Sequence, residues 1–309
     1  MNDFENYYED EEELDLLKLV STNANDANQY LIFEGTNNEL YAKNVSKVDE
    51  IVIYKDIDIA FAHEKPFVIG TGDIRSKMIT LVDFDAWIGN TPLDESDREL
   101  VIIAHYGGHI IGLVVHHVDN IITIESDQMS DNSNANPKSS FITKITLNRK
   151  ERLCTIFDSD KLLIDIFDEI RSKSEQDREH LSINIHSKKL ILAADDSKVI
   201  RSMMAQLLDK LQVNFEIFED GALLIDALGK KNPEDVGLII TDIEMPIMSG
   251  REVISTLRLE EKYNNINIIV HTNMSNHIME EELLHSGASQ IIGKVNMLEL
   301  GEAIAKNIR

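Results

Sequence analysis

The sequence predicts two domains of different class, a mostly β body followed by an α/β body built on a five-stranded parallel sheet. Three observations carry this. At 309 residues the chain is too long for one typical domain and suits two. In its first half, apolar residues come in many short runs at close spacing, the pattern of barrels and sandwiches. In its last 122 residues (188–309), apolar strands and amphipathic helices alternate five times, as in a parallel sheet covered by helices. The chain therefore reads as an acidic disordered tail over residues 1–15, a β body over 16–171, a linker over 172–187 and an α/β body over 188–309.

Charge and composition exclude several functions. Lys and Arg number 30 against 55 Asp and Glu, a net −25. Nucleic acid and anionic membrane surfaces need basic patches, so neither is expected as the main partner. Residues 1–15 hold eight acids and no base, the signature of a solvated tail. Cys154 is the sole cysteine, which rules out an intrachain disulfide or a cysteine metal cluster and fits a reducing compartment. No apolar run reaches the ~18 residues of a membrane helix. The acidic N-terminus lacks the basic-then-apolar order of a secretory signal. A cytoplasmic protein without membrane insertion is expected.

In the first body, Tyr30–Phe33 and Glu39–Ala42 form short strands around the polar turn Thr36-Asn37-Asn38. Further strands are expected at Phe67–Gly70, Met78–Val82, Leu100–His105, Ile110–Val115 and Ile121–Ile124. Gly107-Gly108 supplies a hairpin turn, since both glycines accept positive φ. Asp131–Ser140 is polar and reads as a mobile loop. Apolar residues at Leu162, Leu163, Ile166, Phe167 and Ile170 give helical spacing over Asp158–Ile170. His105, His109, His116 and His117 lack a completing carboxylate or cysteine cluster and read as surface or packing residues. Trp87 and Phe84 fill core or interface positions.

In the second body, Leu190–Ala194 is an apolar strand ending in Asp195-Asp196, followed by a helical stripe from Ile200 to Leu211. Phe215–Phe218 is the next strand, and helix Ala222–Leu228 stops at Gly229 and Pro233. Leu238–Thr241 ends in Asp242, and Val253, Ile254 and Leu257 mark the third helix. Ile266–His271 ends at Thr272, Met279–His285 is helical, Gln290–Ile292 ends near Lys294, and a last helix begins near Met297.

Ligands of open α/β sheets bind beyond the carboxyl ends of the strands. There this sequence places Asp195, Asp196, Asp242, Thr272 and Lys294. A single aspartate at a strand end is ordinarily an N-cap or a turn residue. Several groups of complementary chemistry on one edge are not. Three carboxylates in one place repel unless a cation joins them, and hard oxygen ligands with open positions suit Mg²⁺. A lysine and a threonine hydroxyl complement a phosphoryl group. Asp242 is then a candidate nucleophile, because carboxylates form acyl phosphates.

With these residues in order, residues 188–309 resemble a response-regulator receiver domain of the flavodoxin-like class. The carrying motifs are Asp195-Asp196-Ser197 with Arg201, Asp242-Ile243-Glu244-Met245-Pro246 with Gly250, then Thr272 and Lys294. The resemblance implies that Asp242 accepts a phosphoryl group from a phosphohistidine kinase. Asp196, Asp242 and the Glu244 backbone carbonyl would hold Mg²⁺, with Asp195 assisting through water. Lys294 would pair with the phosphoryl oxygens and Thr272 would hydrogen-bond them. Two positions depart from the family pattern. Val295 replaces the usual proline, and since a cis bond at a non-proline residue costs about 2.5–4 kcal/mol, a trans bond is expected. Ile291 replaces the aromatic switch residue, so ring rotation cannot be the output. Glu244 places a carboxylate where it would hinder an attacking water, which predicts a long-lived aspartyl phosphate.

Residues from about 28 to 170 resemble the CheW-like coupling domain, through Leu40–Ile51, Gly70–Met78, Val82-Asp83-Phe84-Asp85 and Ile111-Gly112-Leu113-Val114-Val115. That family folds as a double β barrel without enzymatic activity and couples chemoreceptors to a histidine kinase. Val48, Glu50, Ile51 and Arg75 match its contact region. Val48 and Ile51 also suit a core, and Arg75 also suits a surface ion pair. A coupling domain followed by a receiver is similar to the arrangement of the CheV family. The resemblance implies a chemotaxis adaptor in receptor arrays, not an enzyme, with the chemotaxis histidine kinase and chemoreceptors as partners. Phosphorylation of Asp242 would regulate coupling or act as a phosphoryl sink. A scaffold with a silent receiver and a Mg²⁺-dependent phosphatase remain as alternatives.

Overall fold

The computed structural model describes residues 29–62, 65–106, 109–125, 128–131, 136–147, 149–167, 172, 183, 185–273, 277–294 and 296–308. The acidic tail, Gly107-Gly108, most of the 172–187 linker and Val295 lie outside the described residues. The chain divides into two compact units, Met1–Phe157 and Asp158–Arg309.

The first unit runs β1 (Gln29–Glu34), β2 (Leu40–Asn44), β3 (Val48–Ile53), β4 (Asp58–Phe61), β5 (Val68–Ile74), β6 (Lys77–Asp83), α1 (Phe84–Ile88), β7 (Leu100–Tyr106), β8 (His109–Val115), β9 (Val118–Thr123), β10 (Ser130–Asp131), β11 (Ser139–Leu147) and β12 (Lys150–Phe157). These strands form two six-stranded sheets, ordered β10-β11-β12-β2-β1-β9 and β3-β7-β8-β6-β5-β4. It is the mostly β, CheW-like body that the sequence predicts. Most pairings are antiparallel, whereas β12 runs parallel to β2 and β6 parallel to β8. Antiparallel β7 and β8 pair up to Tyr106 opposite His109, so His105 and His109 stand on opposite arms of one hairpin. The β5–β6 hairpin turns through Arg75 and Ser76, at φ 51° and 64°. Two consecutive left-handed residues give the twist that joins antiparallel strands tightly.

Phe84 anchors an aromatic cluster: its ring lies 4.8 Å from Phe33, 4.9 Å from Tyr41, 5.1 Å from Phe157 and 5.9 Å from Trp87. Edge-to-face contacts of this kind add about 0.5–1.5 kcal/mol per pair to the burial itself. Phe84 and Trp87 are fully buried, in the core role that the sequence allowed them. Cys154 is buried in the same unit, and burial pushes its thiol up to about 12.

The two ends of the expected loop 131–140 are strand, and residues 132–135 lie outside the described residues. Asp131 belongs to β10, and Ser139 and Ser140 open β11 and are buried. Ser139 Oγ donates to the Phe141 carbonyl at 3.3 Å, so its polar group is satisfied inside the sheet.

The second unit runs α2 (Ser159–Ile166), β13 (Leu190–Ala194), α3 (Lys198–Lys210), β14 (Asn214–Phe218), α4 (Gly221–Gly229), β15 (Val236–Thr241), α5 (Gly250–Leu259), β16 (Asn267–His271), α6 (His277–His285), β17 (Gln290–Ile292) and α7 (Met297–Asn307). The parallel sheet has the order β14-β13-β15-β16-β17, the flavodoxin-like winding in which the first strand sits beside the third. Central β15 is buried at every position, as a strand covered on both faces must be. Helix α3 buries Ile200, Met204, Leu207 and Leu208 along one stripe. Helix starts are capped by Ser197 at α3, by Asp220 at α4, and by a reciprocal Ser249–Glu252 box at α5. Helix α2 is shorter than the apolar spacing predicts: Asp158 caps it and Phe167 is already extended. No helix among the described residues is long and apolar enough to cross a membrane.

Candidate functional site

The site lies at the carboxyl edge of the parallel sheet. Asp195 and Asp196 follow β13, Asp242 follows β15, Thr272 follows β16, and Lys294 stands two residues beyond β17. Short backbone bonds hold these ends in register: Asp242 N–H donates to the Ala194 carbonyl at 2.9 Å, and Thr272 N–H donates to the Ile292 carbonyl at 3.0 Å.

Lys294 is the hub. Its ammonium lies 2.8 Å from Asp242 Oδ2, 2.9 Å from Asp160 Oδ2 and 3.2 Å from Asp195 Oδ2. Its side chain is 3% exposed, and those of Asp195 and Asp242 are 0% and 2% exposed. Burial alone would drive the proton off this lysine. The surrounding carboxylates of Asp160, Asp195 and Asp242 overcome it and hold the ammonium well above the usual lysine range. Burial pushes Asp195 well above the carboxylate range, against the pull of Lys294 and with repulsion from Asp242. His271, wholly buried at the end of β16, is lowered to about 3 by burial and then by Lys294, so it stays neutral.

The backbone around the acids is fixed by other side chains. Arg201 donates to the Asp195 and Asp196 carbonyls at 2.9 and 2.8 Å. Asp242 Oδ1 accepts from Ile243 N–H at 2.6 Å, which orients the carboxylate. Asp220 accepts from Ile247 and Met248 N–H at 3.0 and 3.3 Å and pins the loop that follows Asp242. A Cβ at Gly250 would stand 2.0 Å from the Asp242 carbonyl oxygen. That closeness explains why the Asp-x-x-Met-Pro-x-x-x-Gly spacing ends in glycine.

Two further aspartates join this edge, and the sequence reading took neither as a site residue. Asp160 Oδ1 accepts from Asn273 Nδ2 at 2.7 Å while its other oxygen meets Lys294. Asp158 Oδ2 accepts from Ser197 Oγ at 3.0 Å. Burial, then repulsion from Asp160, raises Asp158 to about 7. Both lie at the start of α2, whose apolar spacing reveals a helix and nothing of where it docks.

The donor set fits a hard divalent cation. Asp160, Asp195 and Asp196 offer carboxylate oxygens all within 4.8 Å of one another, and Asp242 adds a fourth acid against the single Lys294 ammonium. Asp195 Oδ2 and Asp242 Oδ2 share the one Lys294 ammonium, at 3.2 and 2.8 Å, and neither takes a further hydrogen bond. Several buried acids set against one cation form the kind of cluster that such an ion neutralises.

In the first unit the contact set divides. Val48 and Ile51 are buried, at 5% and 6% exposure, on β3, which pairs with β7. Glu50 and Arg75 remain at the surface and pair with each other at 2.7 Å. His105 pairs with Asp49 at 3.0 Å, and His116 Nδ1 lies 2.9 Å from the Asp97 carbonyl. These histidines make surface contacts, as expected.

Comparison with known proteins agrees with this architecture. Residues 29–167 match the CheW-like domain and residues 191–305 match the response regulator receiver domain. Chemotaxis protein CheV2 of Helicobacter pylori is 27% identical over 311 residues, spanning 95% of this chain and 99% of that protein. CheV1 of the same organism is 29% identical, spanning 93% and 95%, and CheV3 is 28% identical, spanning 94% and 96%. With both domains in this order and both matched end to end in such relatives, the chain belongs to the CheV type.

Proposed function

We propose that this protein is a chemotaxis adaptor whose CheW-like unit couples chemoreceptors to a histidine kinase and whose receiver unit is phosphorylated at Asp242. The observation that carries the proposal is the buried Asp242 carboxylate 2.8 Å from the Lys294 ammonium, at the carboxyl edge of a parallel sheet and beside further acids. An Asp242 oxygen attacks the phosphorus of a phosphohistidine. An O–P bond forms, the P–N bond breaks, and the imidazole keeps that electron pair and regains a proton. Lys294 offsets charge on the phosphoryl oxygens, and Thr272 hydrogen-bonds them. Asp195, Asp196 and Asp242, with the Glu244 carbonyl, would hold Mg²⁺, which supplies charge neutralisation between acceptor and phosphoryl group. The protein acts as adaptor rather than enzyme, in the cytoplasm at receptor arrays, with Glu50 and Arg75 as the surface residues for partner contact.

The test is intact mass after exposure to acetyl phosphate and Mg²⁺. One phosphoryl gained by the wild type and none by Asp242→Asn is expected. If the wild type gains none from acetyl phosphate or from a phosphorylated chemotaxis kinase, the receiver is silent and the regulatory reading fails. Catalytic turnover of phosphomonoesters would indicate a phosphatase instead.

A further inference from the structure

Residues 158–167 match the CheW-like domain by sequence, yet they pack within the second compact unit. Helix α2 docks on the receiver edge by its N-terminal turn. Asp158, its cap, is buried and held by Ser197. Asp160 sends one carboxylate oxygen to Asn273 and the other to Lys294. One ammonium thus bridges Asp160 and Asp242, at 2.9 and 2.8 Å.

That position is the one a phosphoryl oxygen on Asp242 has to take if Lys294 is to pair with it. A carboxylate with both oxygens bonded resembles part of a phosphoryl group in charge and geometry. We infer that α2 is an intramolecular plug, in which Asp160 occupies the phosphoryl position and must leave when Asp242 is phosphorylated. The inference rests on the proposed phosphorylation at Asp242 and adds what controls it.

Three observations support it. Asp242 is 1% exposed in the state in which Asp160 shares its lysine. Phosphorylation turns the single negative charge of Asp242 into roughly two, beside Asp160, where burial magnifies repulsion. Docking and phosphorylation therefore oppose each other, and the coupling is reciprocal. The plug also offers an output that requires no aromatic switch, which Ile291 cannot provide. Asp158 follows Phe157 directly, and Phe157 belongs to the aromatic core of the first unit. Freeing α2 would lengthen the tether carrying the coupling unit.

The experiment uses the full chain. Labelling by acetyl phosphate with Mg²⁺ is timed for wild type and Asp160→Ala, with Asp242→Asn as the blank. Releasing the plug raises the fraction of open sites, so Asp160→Ala should label about tenfold faster. In parallel, amide hydrogen exchange over residues 159–166 is followed in the wild type with Mg²⁺ and beryllofluoride, a phosphoryl stand-in. Exchange there should rise about tenfold, and should not rise in Asp242→Asn. This second arm requires no plug variant and stands even if Asp160→Ala folds poorly. Labelling of Asp160→Ala at the wild-type rate, with unchanged exchange in α2 while residues 242–246 respond, overturns the plug and leaves the receiver intact. Slower labelling of Asp160→Ala also overturns it and assigns Asp160 to holding the cation. No labelling of either chain and no response to beryllofluoride removes the receiver function and the plug with it.

Discussion

Both units bury aspartates, and they satisfy them by opposite means. In the first unit, Asp85 accepts from Thr36 N–H and Oγ1 at 2.9 and 3.1 Å and from Asn90 Nδ2 at 2.7 Å. Asp83 accepts from Ala86 and Leu93 N–H, both at 3.0 Å. Each has its own neutral donors and staples a turn. In the second unit, Asp160, Asp195 and Asp242 crowd around one ammonium. Neutral donors make an aspartate structural. Shared, incompletely neutralised charge leaves room for an arriving ion or phosphoryl group. Asp220 shows that position in the fold does not decide this, because it lies in the receiver and yet caps α4 and pins a loop by backbone bonds.

This contrast breaks most visibly at Lys294. Lys294→Met strands several buried carboxylates, and urea unfolding should show the second unit losing about 3–5 kcal/mol at neutral pH. The pH dependence has a definite sign. Burial already raises Asp195 in the folded state, so the folded form holds its proton to higher pH than the unfolded form, and stability falls as pH rises through that window. Without Lys294 to oppose it, that shift grows, so the deficit of the variant should be largest at high pH and shrink on acidification. A deficit independent of pH would mean that Lys294 acts by packing.

A smaller effect separates the two kinds of aspartate directly. Asp85→Ala removes three accepted bonds and should cost the first unit about 2 kcal/mol in thermal or urea unfolding, with phosphoryl labelling of Asp242 unaffected. Asp242→Asn, which removes one of several crowded charges, should leave the second unit as stable or raise its midpoint. A loss of stability comparable to that of Asp85→Ala would erase the distinction. Smallest is the effect of Glu244→Asn. On the proposed reading, in which Glu244 hinders water attacking phosphorylated Asp242, the substitution should shorten the lifetime of the aspartyl phosphate a few-fold, a barrier change under about 1.4 kcal/mol. An unchanged decay rate would show that Glu244 does not face the water.

The two units also differ in how far their sequences reveal them. Every receiver strand was legible, because a strand covered on both faces is a continuous apolar run, as in Leu238–Thr241. In the β unit, β3, β4, β10, β11 and β12 escaped notice. Strand β4 is a short, largely exposed edge, and β12 mixes polar residues among Leu153, Cys154 and Ile156. The edge residues Asp195, Asp196, Asp242, Thr272 and Lys294 were legible because strand ends must converge in a parallel sheet. Asp160 was not, since its partner Lys294 lies 134 residues away and local spacing carries no record of such a contact. Val48 and Ile51 suited either a core or a surface; the β3–β7 register shifts between Val48 and Glu50, and both residues are buried.

The parallel pairing of β12 with β2, Leu40 opposite Cys154, sets an order of events during synthesis. The ribosome delivers β1, β2 and β9 first, and they pair among themselves with one side of β2 bare. That side is an exposed hydrogen-bonding edge, the kind that recruits wrong partners. It closes only when the chain has been made through Phe157, so the nascent β unit depends on its last strand for protection against misassembly. The receiver follows and can wind its strands as each helix emerges.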